Sequence, residues 1–145
     1  MAHTEAVLSW IRKYGIRSII DAPCASQAAK EAFIAVGIEE YDGVDIQDSG
    51  TIKADLTVFF PARRYDALYI NCVFCTGLHA DSVGDHAILA RNYASWPVKY
   101  IILYDTRVFD WGPYFAQSGW RLLEYVPSVP SNSGKNETVS EIWGR

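Results

Sequence analysis

The sequence predicts an α/β domain: a doubly wound, mostly parallel seven-stranded sheet ending in an antiparallel hairpin. Three observations predict it. Strand-like and helix-like segments follow one another in the order α, β, α, β, β, β, α, β, α, β, β, an alternation that favours parallel strands joined by crossovers. Residues 65–74 and 98–104 are nearly continuous in apolar side chains, the pattern of strands covered on both faces. Residues 16–27 (IRSIIDAPCASQ) read as a buried strand, a carboxylate, a tight run of small residues and a helix start. A turn of that kind presents backbone N–H groups and the positive end of a helix to a ligand.

Taken in order, Thr4 can cap a first helix, with Glu5 favourably placed in its first turn. Val7, Leu8, Ile11 and Tyr14 recur at helical spacing, and Gly15 stops the run. The first strand ends at Asp21. Ser26 is set to cap a helix over 27–36 that carries Ala29, Phe33 and Val36 on one face and stops at Gly37. A second strand over 41–46 brings Asp45 to a distance from the turn that suits a pair of ribose hydroxyls. Residues 47–50 (QDSG) are turn chemistry, and 51–58 are β-rich and contain Asp55, which leaves no room for a helix between strands two and three. After strand 65–74 comes a loop with Thr76, Gly77 and His79. Ser82 to Asp85 has a capping-box pattern, and the helix it opens carries Val83, Ala87, Ala90 and Ala94 on its apolar face, with His86 on the surface. That helix ends before Pro97. Strand 98–104 leads into Asp105. A short helix over 110–117 contains Pro113 and closes at Gly119. Residues 120–126 and 137–143 form the hairpin, its final strand partly exposed.

Bulk properties narrow the function. The chain has 145 residues, half of them apolar, so one domain over 1–145 with a real core is expected. Five Trp, nine Tyr and six Phe argue against disorder. A net charge of −4 with no basic stripe makes nucleic acid an unexpected partner. No apolar run approaches the roughly 20 residues that span a bilayer, and the first 15 residues lack a signal-peptide core, so a cytoplasmic protein is expected. Three cysteines fit a reducing compartment better than a disulfide framework.

With these landmarks in place, residues 7–143 resemble the class I S-adenosylmethionine (SAM) dependent methyltransferases, which have a Rossmann-like fold. In that family the first strand ends in an acidic residue and a glycine-rich turn. Asp21-Ala22-Pro23-Cys24-Ala25 looks like a subset with an Asp-x-Pro-Cys turn. The resemblance implies SAM as cofactor. Asp21, Ala22, Pro23, Cys24 and Ala25 would surround its methionine end. Asp45 would hold the ribose with Ile46 beside it, Asp55 would contact adenine with Leu56 next to it, and Asn71 and Cys72 would stand beside the methyl group. The family's loop after strand four often carries Leu-His, here Leu78-His79. His79 is the candidate base because imidazole titrates near neutrality, and Asn71 is the second candidate for a catalytic role. Tyr104 and Asp105 would face the same crevice. Two departures stand out. Ala25 and Gln27 occupy usual glycine positions, which a negative φ at Ala25 and a helix start at Gln27 would accommodate. The helix between strands two and three is missing, and no substrate-binding insertion is visible, so a second copy or a partner subunit could complete the pocket.

Each of these residues also has an ordinary reading. Asp21 and Asp45 suit turn stabilisation, Asp55 a solvated strand end, Cys72 the core and His79 a plain loop position. Cys72-x-x-Cys75 with His79 and Cys24 has the chemistry of a zinc set, but residues 72 and 75 of one strand point to opposite faces, and no metal is expected. Two functions follow: a methyltransferase acting on a small acceptor, or a non-catalytic binding or scaffold protein on this fold with weak or lost SAM binding. Cleavage of SAM is a third use of the cofactor that the same residues would allow.

Overall fold

The computed structural model describes residues 3–74, 83–127 and 137–145. Its elements are α1 (His3–Lys13), β1 (Ser18–Asp21), α2 (Lys30–Ala35), β2 (Glu40–Asp45), β3 (Ile52–Lys53), β4 (Tyr65–Asn71), α3 (Val83–Ser95), β5 (Val98–Thr106), α4 (Gly112–Gln117), β6 (Arg121–Pro127) and β7 (Thr138–Gly144). The strands form one seven-stranded sheet in the order β3-β2-β1-β4-β5-β7-β6. All pairs are parallel except β5 with β7 and β7 with β6. The expected fold class, a doubly wound Rossmann-like sheet with an antiparallel end, is the observed one.

Two apolar layers clamp the sheet. On one face Leu89, Tyr93 and Trp96 of the α3 region and Phe115 of α4 pack with Ile20, Leu68, Ile70 and Ile101. On the other, Ala6, Val7, Trp10 and Ile11 of α1 and Phe33 of α2 pack with Ile19, Ala67, Tyr69 and Ile142. Adjacent residues of one strand thus feed opposite layers, Ile19 one and Ile20 the other, as pleating dictates. Burying each such side chain is worth about 1.5–3 kcal/mol, so both layers are needed for a sheet this short to hold. The chain runs outward from β1 to β2 and β3, then returns to β4 on the other side of β1. That reversal opens a crevice at the carboxyl ends of β1 and β4, where open α/β sheets bind ligands.

Several local expectations are corrected. The second helix starts at Lys30 rather than residue 27, because Gln27 has φ +57° and its N–H closes a turn onto the Cys24 carbonyl at 2.7 Å. Ser26 makes no cap; the N-cap residue is Ala29. The β-rich stretch 51–58 supplies only the two residues of β3 before Asp55 turns the chain. The fourth strand stops at Asn71, since Cys72 has φ +52°. The final strand is not partly exposed. All of β7 is buried between β5 and β6, and β6 is the exposed edge. Glu141 of β7 accepts hydrogen bonds from the indole N–H groups of Trp111 and Trp143, each at 2.8 Å, and pairs with Arg107. Those partners are what let a carboxylate sit in an interior strand. They also make Trp111 and Trp143 core residues. His86 is buried as well, not on the helix surface: its ring lies edge-on to Phe74 and against Phe109. The predicted cap Ser82 and the loop with His79 lie outside the described residues.

Candidate functional site

The turn after β1 is stitched to every element around it. Ala22 N–H donates to the Tyr69 carbonyl of β4 at 3.0 Å, and the Ala22 carbonyl accepts from the Tyr93 hydroxyl of α3 at 2.9 Å. Cys24 N–H donates to the Val44 carbonyl of β2 at 2.9 Å, and the Gln27 side-chain amide donates to the Ser49 carbonyl at 2.7 Å. The Ala22–Pro23 peptide is cis. The Cys24 side chain is buried against two glycines. A Cβ at Gly43 would come within 2.9 Å of Cys24 Sγ, and one at Gly50 within 2.5 Å of the Gly43 carbonyl oxygen. A side chain is thus opposed at Gly50 by the Gly43 backbone and at Gly43 by the packed Cys24 and Gln27 side chains. Burial pushes the Cys24 thiol up to about 11, which disfavours the thiolate, and its side chain packs against the two glycines.

Both usual glycine positions keep the glycine conformation without the glycine: Ala25 has φ +45° and Gln27 φ +57°. The expectation of a negative φ at Ala25 and a helix start at Gln27 is thus overturned. Left-handed backbone costs a non-glycine residue about 1–2 kcal/mol. Ala25 is exposed, so its methyl group contributes little packing in return. Ala25→Gly is expected to stabilise the fold by about 0.5–1 kcal/mol, the relieved strain less the added unfolded-state entropy. Thermal unfolding checks this as a rise of roughly 2–4 °C.

Asp21 stands at the head of the crevice. Its side chain is only 3 % exposed and accepts the Tyr41 hydroxyl at 2.5 Å. Burial pushes its carboxyl up to about 7; the Tyr41 hydrogen bond opposes the rise and the nearby Asp45 charge adds to it. Asp21, Cys24, Ala25, Ser26, Tyr69 and Asn71 line a cavity of about 210 Å³. An adjoining cavity of about 250 Å³ shares Ala28, Ala29, Tyr69 and Asn71 and runs on to Thr4 and Val7 of α1.

Asp45 ends β2 with 8 % exposure. One carboxylate oxygen accepts the Ala25 N–H at 2.8 Å and the other the Gln47 N–H at 3.1 Å. A carboxylate offers about four acceptor positions, so both oxygens retain capacity for further donors. Ile46, next in sequence, is 54 % exposed, an apolar platform beside the carboxylate. Asp55 is exposed and accepts from the Thr57 N–H at 2.9 Å and the Thr57 hydroxyl at 2.7 Å, while Leu56 is buried in the main core. Ala22 is likewise fully buried behind the turn.

Asn71 and Cys72 are exposed where β4 leaves the sheet, and Cys72 N–H donates to the Tyr104 carbonyl at 2.8 Å. Asp105 does not face the crevice as expected. It is fully buried and accepts the Val73 and Phe74 N–H groups, both at 2.8 Å, fixing the chain beyond β4. His79 and Cys75 lie outside the described residues. The arrangement thus brings Asp21, Cys24, Ala25, Asp45, Ile46, Asn71 and Cys72 to one edge and sets Leu56 and Ala22 in the core. Tyr69, Tyr41, Ser26 and the α1 face were missed by sequence reasoning. Register was the signal: Tyr69 is the β4 partner of Asp21, and Tyr41 precedes by two its β2 partner Gly43.

No protein-family model matches the chain, and no curated protein matches its sequence. Solved structures match its fold over nearly its whole length. The methyltransferase domain of bacterial CtHen1-CN superposes with a TM-score of 0.74 at 11 % identity, covering 98 % of this chain and 97 % of that one. Magnesium protoporphyrin IX methyltransferase from Synechocystis PCC 6803, solved with bound SAM, gives 0.71 at 13 % identity over 98 % of this chain and 78 % of its own. The N-methyltransferase NodS from Bradyrhizobium japonicum WM9 gives 0.71 at 11 % identity, covering 99 % and 93 %. At these identities the likeness is one of fold: the chain has the architecture of the SAM-dependent methyltransferases.

Proposed function

We propose that this protein binds SAM across the carboxyl ends of β1, β2 and β4 and transfers its methyl group to a small-molecule acceptor. The observation that carries the reading is the left-handed backbone at Ala25 and Gln27. A sequence that retains a costly glycine-type turn without glycines is maintaining the shape of the turn. Solved neighbours in this fold carry SAM or S-adenosylhomocysteine, which supports the same cofactor here.

The residues fit such a ligand. Asp45 would accept the two ribose hydroxyls with its remaining lone pairs, and Ile46 would lie under the adenine. Asp55 would take the adenine amino group once its Thr57 contacts yield. The Ala25–Ser26 backbone and Asn71 would flank the methionine end in the cavity below Asp21. SAM supplies an activated methyl group on a sulfonium, displaced in line. The protein's part is orientation of the acceptor, and acceptance of its proton where it carries one. Asn71 would position the acceptor, and His79 is the proposed base. The acceptor would enter between Asn71, Cys72 and Tyr104.

One observation favours a second reading, a non-catalytic binding or scaffold protein. Asp45 already bonds backbone N–H groups of the turn and of Gln47, a purely structural use of that carboxylate. Incubation with methyl-labelled SAM and a panel of small hydroxyl, amine and thiol acceptors separates the two. Label transferred by the native chain and not by Asp45→Ala supports the enzyme; SAM binding without any transfer favours the scaffold.

A further inference from the structure

A further cavity lies at the opposite edge of the sheet, where β1, β4 and β5 begin and β7 ends. Its volume is about 450 Å³, within the range of small-ligand sites. β4 alone spans roughly 20 Å, so this cavity is remote from the turn after β1. Arg64, Lys99 and Arg145 line it together with Ser18 and one acidic side chain, Asp66. Asp66 is already engaged, because its Oδ2 accepts the Arg17 and Ser18 N–H groups at 2.8 and 3.2 Å. Ser18 Oγ accepts the Asp66 N–H at 2.8 Å, which leaves the hydroxyl proton free to be donated.

Lys13, Arg17, Lys53, Arg63 and Arg107 each pair with a carboxylate. Arg64 and Lys99 form no ion pair among the described residues. Unpaired cations occur elsewhere too, since Arg12, Lys30, Arg91 and Arg121 form no ion pair among the described residues, but none of those lines this cavity. Arg145 is fixed in place: its Nη1 and Nη2 donate to the carbonyls of Ala94 and Trp96 at 3.2 and 2.9 Å, and its guanidinium lies 4.4 Å over the Trp120 ring. A guanidinium has five N–H donors, so several remain for a ligand in a set geometry. In a chain of net charge −4, Arg64 and Lys99, unpaired among the described residues, converge with Arg145 on one concave surface, an arrangement that favours an anion there.

We propose that this cavity binds a small phosphorylated anion at a site separate from the crevice at the carboxyl edge. Arg145 and Ser18 would donate directed hydrogen bonds to the phosphoryl oxygens, and Arg64 and Lys99 would supply mobile charge at the mouth. The ligand is either a free inorganic anion or a phosphate ester, two sources with one recognition chemistry.

Calorimetric titration and thermal melting of the full chain test this with inorganic pyrophosphate and with ribose 5-phosphate, at constant ionic strength. Saturable binding is expected, weakened about tenfold or more in an Arg64→Ser/Lys99→Ser double variant and unchanged in Arg91→Ser, a control at an exposed position of α3. Both mutated side chains are exposed, so the double variant keeps the fold. Tighter binding of pyrophosphate assigns a free anion, and tighter binding of ribose 5-phosphate assigns an ester. Absence of saturable binding to either probe at about 10 mM, or equal binding by the double variant, overturns the site.

Discussion

Replacing Asp21 by Asn is expected to stabilise the protein above neutral pH while abolishing SAM binding. The folded protein holds the Asp21 carboxyl up to about 7, chiefly by burial, whereas an unfolded chain loses that proton near the ordinary value of 3.8. Between those values the folded state binds more protons than the unfolded one, so stability falls as pH rises from about 4 to about 7 and is level beyond. The difference of about three pKa units sets an upper bound on the order of 4 kcal/mol for the cost of the ionised group. Asn removes the charge and still accepts the Tyr41 hydroxyl, though its amide N–H₂ needs a partner of its own, so a gain of about 1–2 kcal/mol is expected at pH 8. Melting curves from pH 4 to pH 9 check it: the gap between variant and native protein should be absent near pH 4, widen to pH 7 and then stay constant. SAM carries an ammonium and a sulfonium, and ionised Asp21 attracts both. Affinity of the native protein is therefore expected to rise as pH passes upward through about 7, and Asp21→Asn should remove that dependence along with the binding. That pair of results, a fold weakened and binding strengthened by the same charge, would mark Asp21 as serving the ligand.

Replacing Asp45 by Ala removes the acceptor for the Ala25 and Gln47 N–H groups as well as the proposed ribose ligand. Two hydrogen bonds to a charged acceptor are worth about 1.5–3 kcal/mol each, so SAM affinity should fall about 100-fold or more. The turn itself should lose about 1–3 kcal/mol from the N–H groups left behind. Asp45→Asn separates the two contributions. Asn keeps an oxygen for the Ala25 N–H but sets its amide N–H₂ against the Gln47 N–H, so unfolding should lie between native and Asp45→Ala, whereas it cannot accept both ribose hydroxyls as well and SAM binding should still be lost. Native binding in Asp45→Asn would mean that the carboxylate serves the turn alone.

The contrast between what was legible in the sequence and what was not follows the range of the interactions. Strand content was legible because β4 and β5 are covered on both faces and carry apolar residues almost without interruption. The turn was legible because Asp21 and Asp45 stand at strand ends at a telling distance. Its backbone was not, because the left-handed φ of Ala25 and Gln27 is imposed by tertiary bonds from Cys24 to β2 and from Gln27 to Ser49. No local propensity would place Ala there. The position of β7 was misread for a similar reason. Its polar residues Thr138, Ser140 and Glu141 suggested an exposed strand, and only the distant Trp111 and Arg107 reveal how Glu141 is satisfied inside. Asp105 and His86 looked like site and surface residues, and long-range packing makes both of them interior groups.

Calorimetric titration of the native chain with S-adenosylhomocysteine tests the central claim most directly, because the product would occupy the proposed crevice and requires no acceptor. One-site binding with a dissociation constant below about 1 mM is expected, lost in Asp45→Ala and in Asp21→Asn. A natively folded protein that gives no heat of binding at millimolar S-adenosylhomocysteine would contradict the account, and the strained turn would then be a structural remnant rather than a cofactor site.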